Sequence, residues 1–341
     1  MNATDLAYTP ATELIPRIRS KALSPVELTR AVLERIEQVN PTINAFCTVT
    51  ADAALASARA AEDAVMTGGR LGPLHGIPVS IKDLALVQGV PAKFGSHVFA
   101  QRVGEVDAPF VRRLREAGAI LVGKTTTPEF GWKALGDSPL TGITRNPWNL
   151  GMTSGGSSAG AGAAAAAGLG PLHQGSDGAG SIRVPSAFCG IYGLKPTFGR
   201  VPMWPVSNTD SVSHVGPMTR TVADAALMLG VMAGPDDWDR QSLDAAPADY
   251  AGRLGDGVRG LRVGWSLDLG CLRVDPEIGD VAKRAALAFQ GLGCVVEDAK
   301  VSLPDTREMI HLMWNAHYAG NYASFLDRFR SRMDPGLVAA L

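Results

Sequence analysis

The hydrophobic and polar positions of the chain alternate between a helical and a strand-like period. One helix is predicted to begin after Ser24, which heads a Ser-Pro-x-Glu start signal, and to end at Pro41. The same spacing of apolar residues predicts further helices at 51–66, 107–115, 160–168, 221–232 and 275–291, and a longer helix from Pro304 onward. These helices are numerous enough to cover a sheet.

Strand signals separate these helices. Residues 77–82 alternate between apolar and polar side chains, which predicts a strand that includes Lys82. Short apolar runs predict three more strands, at 119–122, 261–265 and 294–296. Residues 136–157 are rich in Gly, Pro, Asn and Ser and are predicted to form a loop, whereas residues 170–200 show no clear period. Alternating strands and helices indicate an α/β layered fold.

Composition and charge exclude several classes of protein. The 341 residues carry a net charge of −1 and are 46% hydrophobic, which is too apolar for a disordered chain. The charge offers no basic excess for nucleic acid, and no segment reads as a signal peptide or a membrane span. The four cysteines and six histidines lack metal-ligand or disulfide spacing, so we expect no metal site and a cytoplasmic location with free thiols.

A glycine- and serine-rich segment from 153 to 160 admits three simple interpretations. A flexible linker is disfavoured because the segment runs directly into an apolar, Ala-rich stretch. Ser158 lies in a G-x-S-x-G pattern, but the nucleophile elbow that this pattern suggests requires a preceding central strand, which Pro147 argues against. A partial dinucleotide fingerprint beginning at Gly160 lacks its strand as well.

A fourth interpretation uses a larger part of the chain. Ser181 follows Gly178, Ala179 and Gly180, whose backbone N–H groups could converge on an oxyanion. A serine nucleophile requires a base, and Lys82 on its predicted buried strand is a candidate, because burial favours the neutral amine. A salt bridge between Lys82 and an acid such as Asp83 is an equally good structural alternative.

The motifs between residues 70 and 220 resemble the amidase signature family of serine hydrolases. They are GIPVSIKD at 76–83, GKTTTPEF at 123–130, NPW at 146–148, GGSSAG at 155–160, GSDGAGSIRVP at 175–185 and GLKPT at 193–197. The resemblance implies a single domain over 1–341 with its signature core at 70–220, and a central mixed β-sheet with helices on both faces. Members of the family are longer, so a C-terminal portion of the domain is expected to be missing.

The resemblance also implies roles for individual residues. Lys82, the cis-serine Ser157 and the nucleophile Ser181 would form the catalytic triad, with Ser158 and Asp177 in support. Gly178, Ala179 and Gly180 would form the oxyanion hole, and no cofactor is implied. The expected activity is hydrolysis of a carbon–nitrogen bond in a small linear amide through an acyl-enzyme, without a nucleic-acid or membrane partner; a homodimer is compatible with the family.

Two alternatives remain open, and two positions depart from the family pattern. The chain could instead be the glutamine-hydrolysing A-type subunit of a tRNA-dependent amidotransferase, or a truncated and catalytically silent family member. Ala179 stands where the family has glycine, and its Cβ disfavours a positive φ. Ser213 stands where the family has an aspartate.

Overall fold

The computed structural model describes residues 2–207 and 209–341. The helices are α1 (Ala3–Tyr8), α2 (Ala11–Arg19), α3 (Pro25–Ile43), α4 (Ala51–Met66), α5 (Pro109–Glu116), α6 (Ala159–Ala166), α7 (Arg183–Cys189), α8 (Val222–Met232), α9 (Pro276–Gly291), α10 (Arg307–Tyr322), α11 (Leu326–Phe329) and α12 (Pro335–Ala340). The strands are β1 (Phe46–Val49), β2 (Pro78–Lys82), β3 (Ile120–Thr125), β4 (Asp137–Ser138), β5 (Gly142–Ile143), β6 (Arg145–Asn146), β7 (Asn149–Thr153), β8 (Leu172–Asp177), β9 (Tyr192–Gly193), β10 (His214–Thr219), β11 (Arg262–Trp265) and β12 (Val295–Asp298).

A mixed six-stranded sheet forms the centre of the larger part of the chain. Its strand order is β1-β3-β2-β8-β10-β9, with β2 parallel to both β3 and β8 and the other pairs antiparallel. All five residues of β2 are buried, because the strand has neighbours on both edges and helices packed against it. The predicted α/β class is confirmed. The alternation of β2 places Val79 and Ile81 in the hydrophobic core and the Lys82 side chain on the other face.

Helix α6 approaches the sheet closely, because its residues are small. It packs against β2, β3, β8 and β10. A Cβ on Gly160 would lie 2.1 Å from the carbonyl oxygen of Ala45 and 2.4 Å from the amide nitrogen of Thr126. Only glycine fits this approach, so Gly160 serves helix packing, and the helix start carries Ser157 and Ser158 to the sheet.

The structure differs from the sequence predictions at the end of α3 and in the segment 136–157, and the helix predicted from Pro304 begins at Arg307. Ser24 caps α3 as predicted, but the helix passes Pro41 and ends at Ile43, followed by Asn44 with φ 51°. Proline in the last turn removes a single hydrogen bond, which the helix tolerates. The segment 136–157, predicted to be a loop, contains the two short hairpins β4–β5 and β6–β7.

The segment 170–200, which showed no period, contains the central strand β8. Hydrophobic periodicity does not predict this strand, because the strand buries polar side chains. His173 hydrogen-bonds the hydroxyl of Ser80 through Nδ1 at 2.7 Å, and Gln174 accepts the backbone N–H of Lys82 at 3.0 Å. Burial lowers the pKa of His173 to about 3, with the Arg220 charge acting in the same direction, so its imidazole is neutral. Satisfied polar groups of this kind are compatible with a buried strand.

The chain divides into two compact units. One consists of the residues up to Ala251 together with His317–Leu341, and contains the six-stranded sheet. The other, Gly252–Ala316, contains the parallel pair β11–β12 with α9 between them in sequence. Its first residue lies within the segment 234–260, which is rich in Asp, Pro, Ala and Gly. No helix in the described part of the chain is long and apolar enough to cross a membrane.

Candidate active site

The side chain of Lys82 is completely buried at the end of β2 and points into a cluster of hydroxyl groups. Its Nζ atom donates to the Oγ atoms of Ser157 at 2.7 Å, Ser158 at 2.9 Å and Ser176 at 3.0 Å. Among the described residues no ion pair includes Lys82. A buried lysine surrounded by neutral oxygens lacks the carboxylate partner that would stabilise its protonated form.

Burial lowers the pKa of Lys82 to about 7, although the negative charge of Asp177 acts in the opposite direction. The cause is desolvation, because moving the ammonium out of water penalises the charged form. At neutral pH a substantial fraction of Lys82 is therefore the free amine, which is the form a general base requires.

The salt-bridge alternative for Lys82 is contradicted by the partner that Asp83 takes. Lys124, on the neighbouring strand β3, forms a buried ion pair with Asp83 at 3.1 Å and also donates to the carbonyl of Ala85 at 2.9 Å. Side chains alternate along β2, so Asp83, one residue beyond its end, and Lys82 point in different directions. The two buried lysines thus have separate environments: one is ion-paired and the other faces hydroxyls.

Ser157 and Ser158 lie at the start of α6, where the peptide bond between Gly156 and Ser157 is cis, as the resemblance implies. Ser158 is fully buried, and its hydroxyl donates to the carbonyl of Ser176 at 3.0 Å. It also accepts the backbone N–H of Ser176 at 3.2 Å. Its lone pairs and its proton are thus committed within the cluster, which argues against Ser158 as the nucleophile of an elbow.

Ser176 is a member of the cluster that the sequence analysis did not single out. Its Oγ atom accepts from Lys82, and its backbone groups hold the Ser158 hydroxyl. The strand β8 carries it one residue before Asp177. Recognition of β8 as a central strand adjacent to β2 would have indicated this position, since neighbouring parallel strands end at the same edge of a sheet.

Ser181 lies beside this cluster, in the turn between β8 and α7. Its carbonyl oxygen accepts the backbone N–H of Ser158 at 3.1 Å, and the residue is 9% exposed. It therefore borders the hydroxyl cluster and keeps a small exposed surface. No hydrogen bond joins the Ser157 and Ser181 hydroxyls in residues 2–207 and 209–341, so that step of the relay stays a prediction.

The backbone amides before Ser181 divide into two groups. The N–H of Gly180 donates to the Asp177 carboxylate at 2.6 Å, so in this structure it is not available to a substrate. No acceptor in the described part of the chain takes the N–H groups of Gly178, Ala179 or Ser181. Ala179 does not adopt a positive φ, whereas Gly180 has φ 121°, so the Cβ of Ala179 introduces no backbone strain.

Asp177 organises this turn. Its carboxylate accepts both Nε and Nη2 of Arg183 at 2.9 Å, in addition to the amides of Gly180 and Ile182. Burial raises the pKa of Asp177, but the hydrogen bonds from Arg183 and the Gly180 amide outweigh it and hold the pKa at about 2. The carboxylate is therefore ionised throughout the neutral range and fixes the backbone of the turn.

Ser213, where the resemblance implies an aspartate, lies in a chain of hydroxyls. Ser213 Oγ donates to Ser207 Oγ at 2.5 Å and hydrogen-bonds Thr209 Oγ1 at 2.5 Å. Within the described residues, no group of three or more His, Cys, Asp or Glu side chains could hold a metal ion.

Comparison with known proteins agrees with the motifs. The family model described as Amidase matches residues 27–335. An acylamidase from Rhodococcus erythropolis is 43% identical over 328 residues, covering 96% of this chain and 68% of that protein. The A-type subunit of a glutamyl-tRNA(Gln) amidotransferase from Geobacter sulfurreducens is 41% identical over 317 residues, covering 92% of this chain and 65% of that protein. The chain thus spans about two thirds of the length of these relatives.

Solved structures lead to the same family. A bacterial aryl acylamidase of the amidase signature family superposes with a TM-score of 0.91 at 32% identity, covering 98% of this chain and 71% of that one. A 6-aminohexanoate cyclic dimer hydrolase superposes with a TM-score of 0.87 at 31% identity, again covering 98% of this chain and 71% of the other. The chain therefore belongs to the amidase family, whose enzymes hydrolyse carbon–nitrogen bonds.

Proposed function

We propose that this protein hydrolyses a small carboxylic amide to the acid and ammonia or an amine, with Ser181 as nucleophile and Lys82 as base. The observation that carries the proposal is the environment of Lys82: a fully buried amine with a pKa of about 7, at 2.7 Å from the hydroxyl of Ser157 and, among the residues that the structure describes, without a carboxylate in an ion pair with it. Such a group can accept a proton near neutral pH.

The proposed reaction moves one proton along the hydroxyl relay. The neutral amine of Lys82 takes the proton of Ser157, which takes the proton of Ser181 as its Oγ atom bonds to the substrate carbonyl carbon. When the tetrahedral intermediate collapses, the carbon–nitrogen bond breaks and Ser157 returns a proton to the leaving amine. Water then attacks the acyl-enzyme through the same relay, which releases the acid and restores Ser181.

The oxyanion of the tetrahedral intermediate would be bound by backbone amides of the turn before the nucleophile. The N–H groups of Gly178, Ala179 and Ser181 have no acceptor in the described ranges 2–207 and 209–341, whereas the Gly180 N–H donates to Asp177. Each such donor typically contributes about a 100-fold to 1,000-fold rate effect. Asp177 and Arg183 would act by holding the turn in this shape.

Covalent labelling tests the nucleophile. The wild-type chain should gain the mass of one fluorophosphonate adduct, and Ser181→Ala should gain none. Ser57→Ala, which changes an exposed serine of α4, is the matched control and should label like the wild type. An unchanged adduct in Ser181→Ala would sink the assignment of the nucleophile. A folded wild-type chain that is not labelled would support a silent family member.

The amidotransferase alternative is supported by the 41% identity to the glutamyl-tRNA(Gln) amidotransferase relative. Both functions share the proposed triad, so the substrate must separate them. Hydrolysis of a panel of simple aliphatic and aromatic amides by the isolated chain favours a stand-alone amidase. Hydrolysis of glutamine alone, and only when a partner protein is present, favours the alternative. The cytoplasmic location, the homodimer and the single domain over 1–341 remain predictions from the sequence.

A further inference from the structure

A turn formed by residues 129–132 lies directly against Ser157 and has an unusual backbone. Phe130 has φ 53° and Gly131 has φ 74°, so two consecutive residues are left-handed. This conformation suits glycine but is strained for phenylalanine, and it persists only where the surroundings enforce it. We call this turn, residues 129–132, the wall, because it lies against the cis-serine Ser157.

Gly131 brings the backbone of this wall into contact with the hydroxyl relay. A Cβ at this position would lie 3.2 Å from Ser157 Oγ and 2.7 Å from the Cδ1 atom of Leu84. The absence of a side chain therefore lets the turn abut the hydroxyl that is proposed to protonate the leaving amine. A small displacement of the turn would change the space in which Ser157 Oγ rotates.

Three aromatic residues from other parts of the chain hold Phe130 in this conformation. The N–H of Phe130 donates to the carbonyl of Phe94 at 2.8 Å, and the hydroxyl of Tyr318 donates to the carbonyl of Phe130 at 3.0 Å. The ring of Tyr322 stacks on the ring of Phe130 with centroids 3.8 Å apart and planes 7° apart. Tyr318 and Tyr322 are four residues apart on α10, so they lie on the same face.

Polar contacts from Asp334 of the same C-terminal segment, and one from Ser96, hold the flanks of the turn. Glu129 is fully buried; its Oε2 accepts the backbone N–H of Asp334 at 2.6 Å, and its Oε1 accepts the hydroxyl of Ser96 at 2.6 Å. Lys133, just beyond the turn, forms an ion pair with Asp334 at 2.6 Å. Residues 318–337 are thus attached at the apex and on both sides of the wall.

We propose that Tyr318 is a positioning residue that acts through the Phe130–Gly131 turn on Ser157, and that it is needed most when the leaving group must be protonated. The inference rests on the proposed function. Ser157 gives a proton to a departing amine, which is a poor leaving group, whereas an alkoxide or phenoxide departs from an ester with less help. Misplacement of the wall should therefore slow amide hydrolysis more than hydrolysis of the ester with the same acyl group.

The test compares an anilide and a phenyl ester of one acyl group in wild type and Tyr318→Phe. The variant keeps the ring and removes the hydroxyl that donates to the Phe130 carbonyl, so the turn loses one of its anchoring hydrogen bonds. We expect kcat/KM for the anilide to fall about tenfold and that for the ester to fall less than about threefold, with the anilide loss in kcat rather than KM. Tyr8→Phe, which removes a hydroxyl that accepts from Arg35 on the first helices, is the matched control and should leave the ratio unchanged.

The outcomes separate the inference from the function on which it rests. Equal losses on both substrates in Tyr318→Phe would show a purely structural role and overturn the proposal. If that variant fails to fold by circular dichroism, Tyr322→Leu, which removes the ring stacked on Phe130, carries the same expectation and the same refutation. A wild-type chain that neither labels with a fluorophosphonate nor cleaves the ester would instead refute the proposed function.

Discussion

Acylation of the protein by an amide should depend on the protonation of Lys82, and the structure gives the midpoint. The pKa of Lys82 is lowered to about 7 by burial, and only the amine can accept the Ser157 proton. Below the midpoint the active fraction falls tenfold for each pH unit. The rate should be roughly one tenth of its plateau at about pH 6 and about 1% at about pH 5, with a plateau above about pH 8.

Protonation of Lys82 should also make the free energy of unfolding depend on pH. The folded-state pKa of Lys82, about 7, lies below its ordinary value of 10.5, so the unfolded chain binds the extra proton between these two values. The free energy of unfolding therefore rises with pH between about pH 7 and 10.5. Below about pH 7 the folded chain bears the full cost of burying the protonated amine. The penalty amounts to roughly 5 kcal/mol at 1.36 kcal/mol per pH unit, and Lys82→Met should remove this pH dependence from urea melts.

The assay is single-turnover acylation across about pH 5 to 9, so that product release does not mask the chemical step. Asp177→Asn should move the midpoint to lower pH, because the Asp177 charge raises the Lys82 pKa. Asp236→Asn, which changes a carboxylate paired with Arg112, is the matched control and should leave the midpoint in place. A flat profile would exclude Lys82 as the base, and a midpoint near 10 would refute the argument from burial.

Three further substitutions follow from the geometry. Gly131→Ala should abolish most amidase activity and lower the melting temperature, because the new Cβ meets Ser157 at 3.2 Å in a left-handed backbone; wild-type rates would contradict this. Lys124→Met should destabilise the chain by about 3–5 kcal/mol in chemical denaturation, since it leaves the Asp83 carboxylate buried and unpaired, and a loss under about 1 kcal/mol would refute it. Ser158→Ala should lower kcat about 10-fold to 100-fold while fluorophosphonate labelling persists, because its hydroxyl holds the Lys82 amine in place but is not the nucleophile; loss of labelling would contradict this role.

The parts of the fold that the sequence predicted well are those in which local chemistry and tertiary packing agree. Helix α3 begins where Ser24 accepts the amides of the first turn, and α6 is helical over its small residues. The strand β8 could not be predicted, because its buried His173 and Gln174 read as polar positions until their partners on β2 are known. Hydrophobic periodicity identifies positions at which apolar side chains are buried. It does not identify positions at which a polar side chain is buried because its hydrogen bonds are satisfied.

In the candidate site, too, some features follow from the sequence and others only from the tertiary structure. The sequence by itself determined the motifs, the family and the residue types of the proposed relay, because these are carried by contiguous segments such as 76–83 and 175–185. Only the tertiary structure decided which buried lysine faces hydroxyls, and which amide of the turn is occupied by Asp177. The reason is physical: a pKa and a free N–H depend on which groups come within about 3 Å, and strand register rather than sequence spacing decides that.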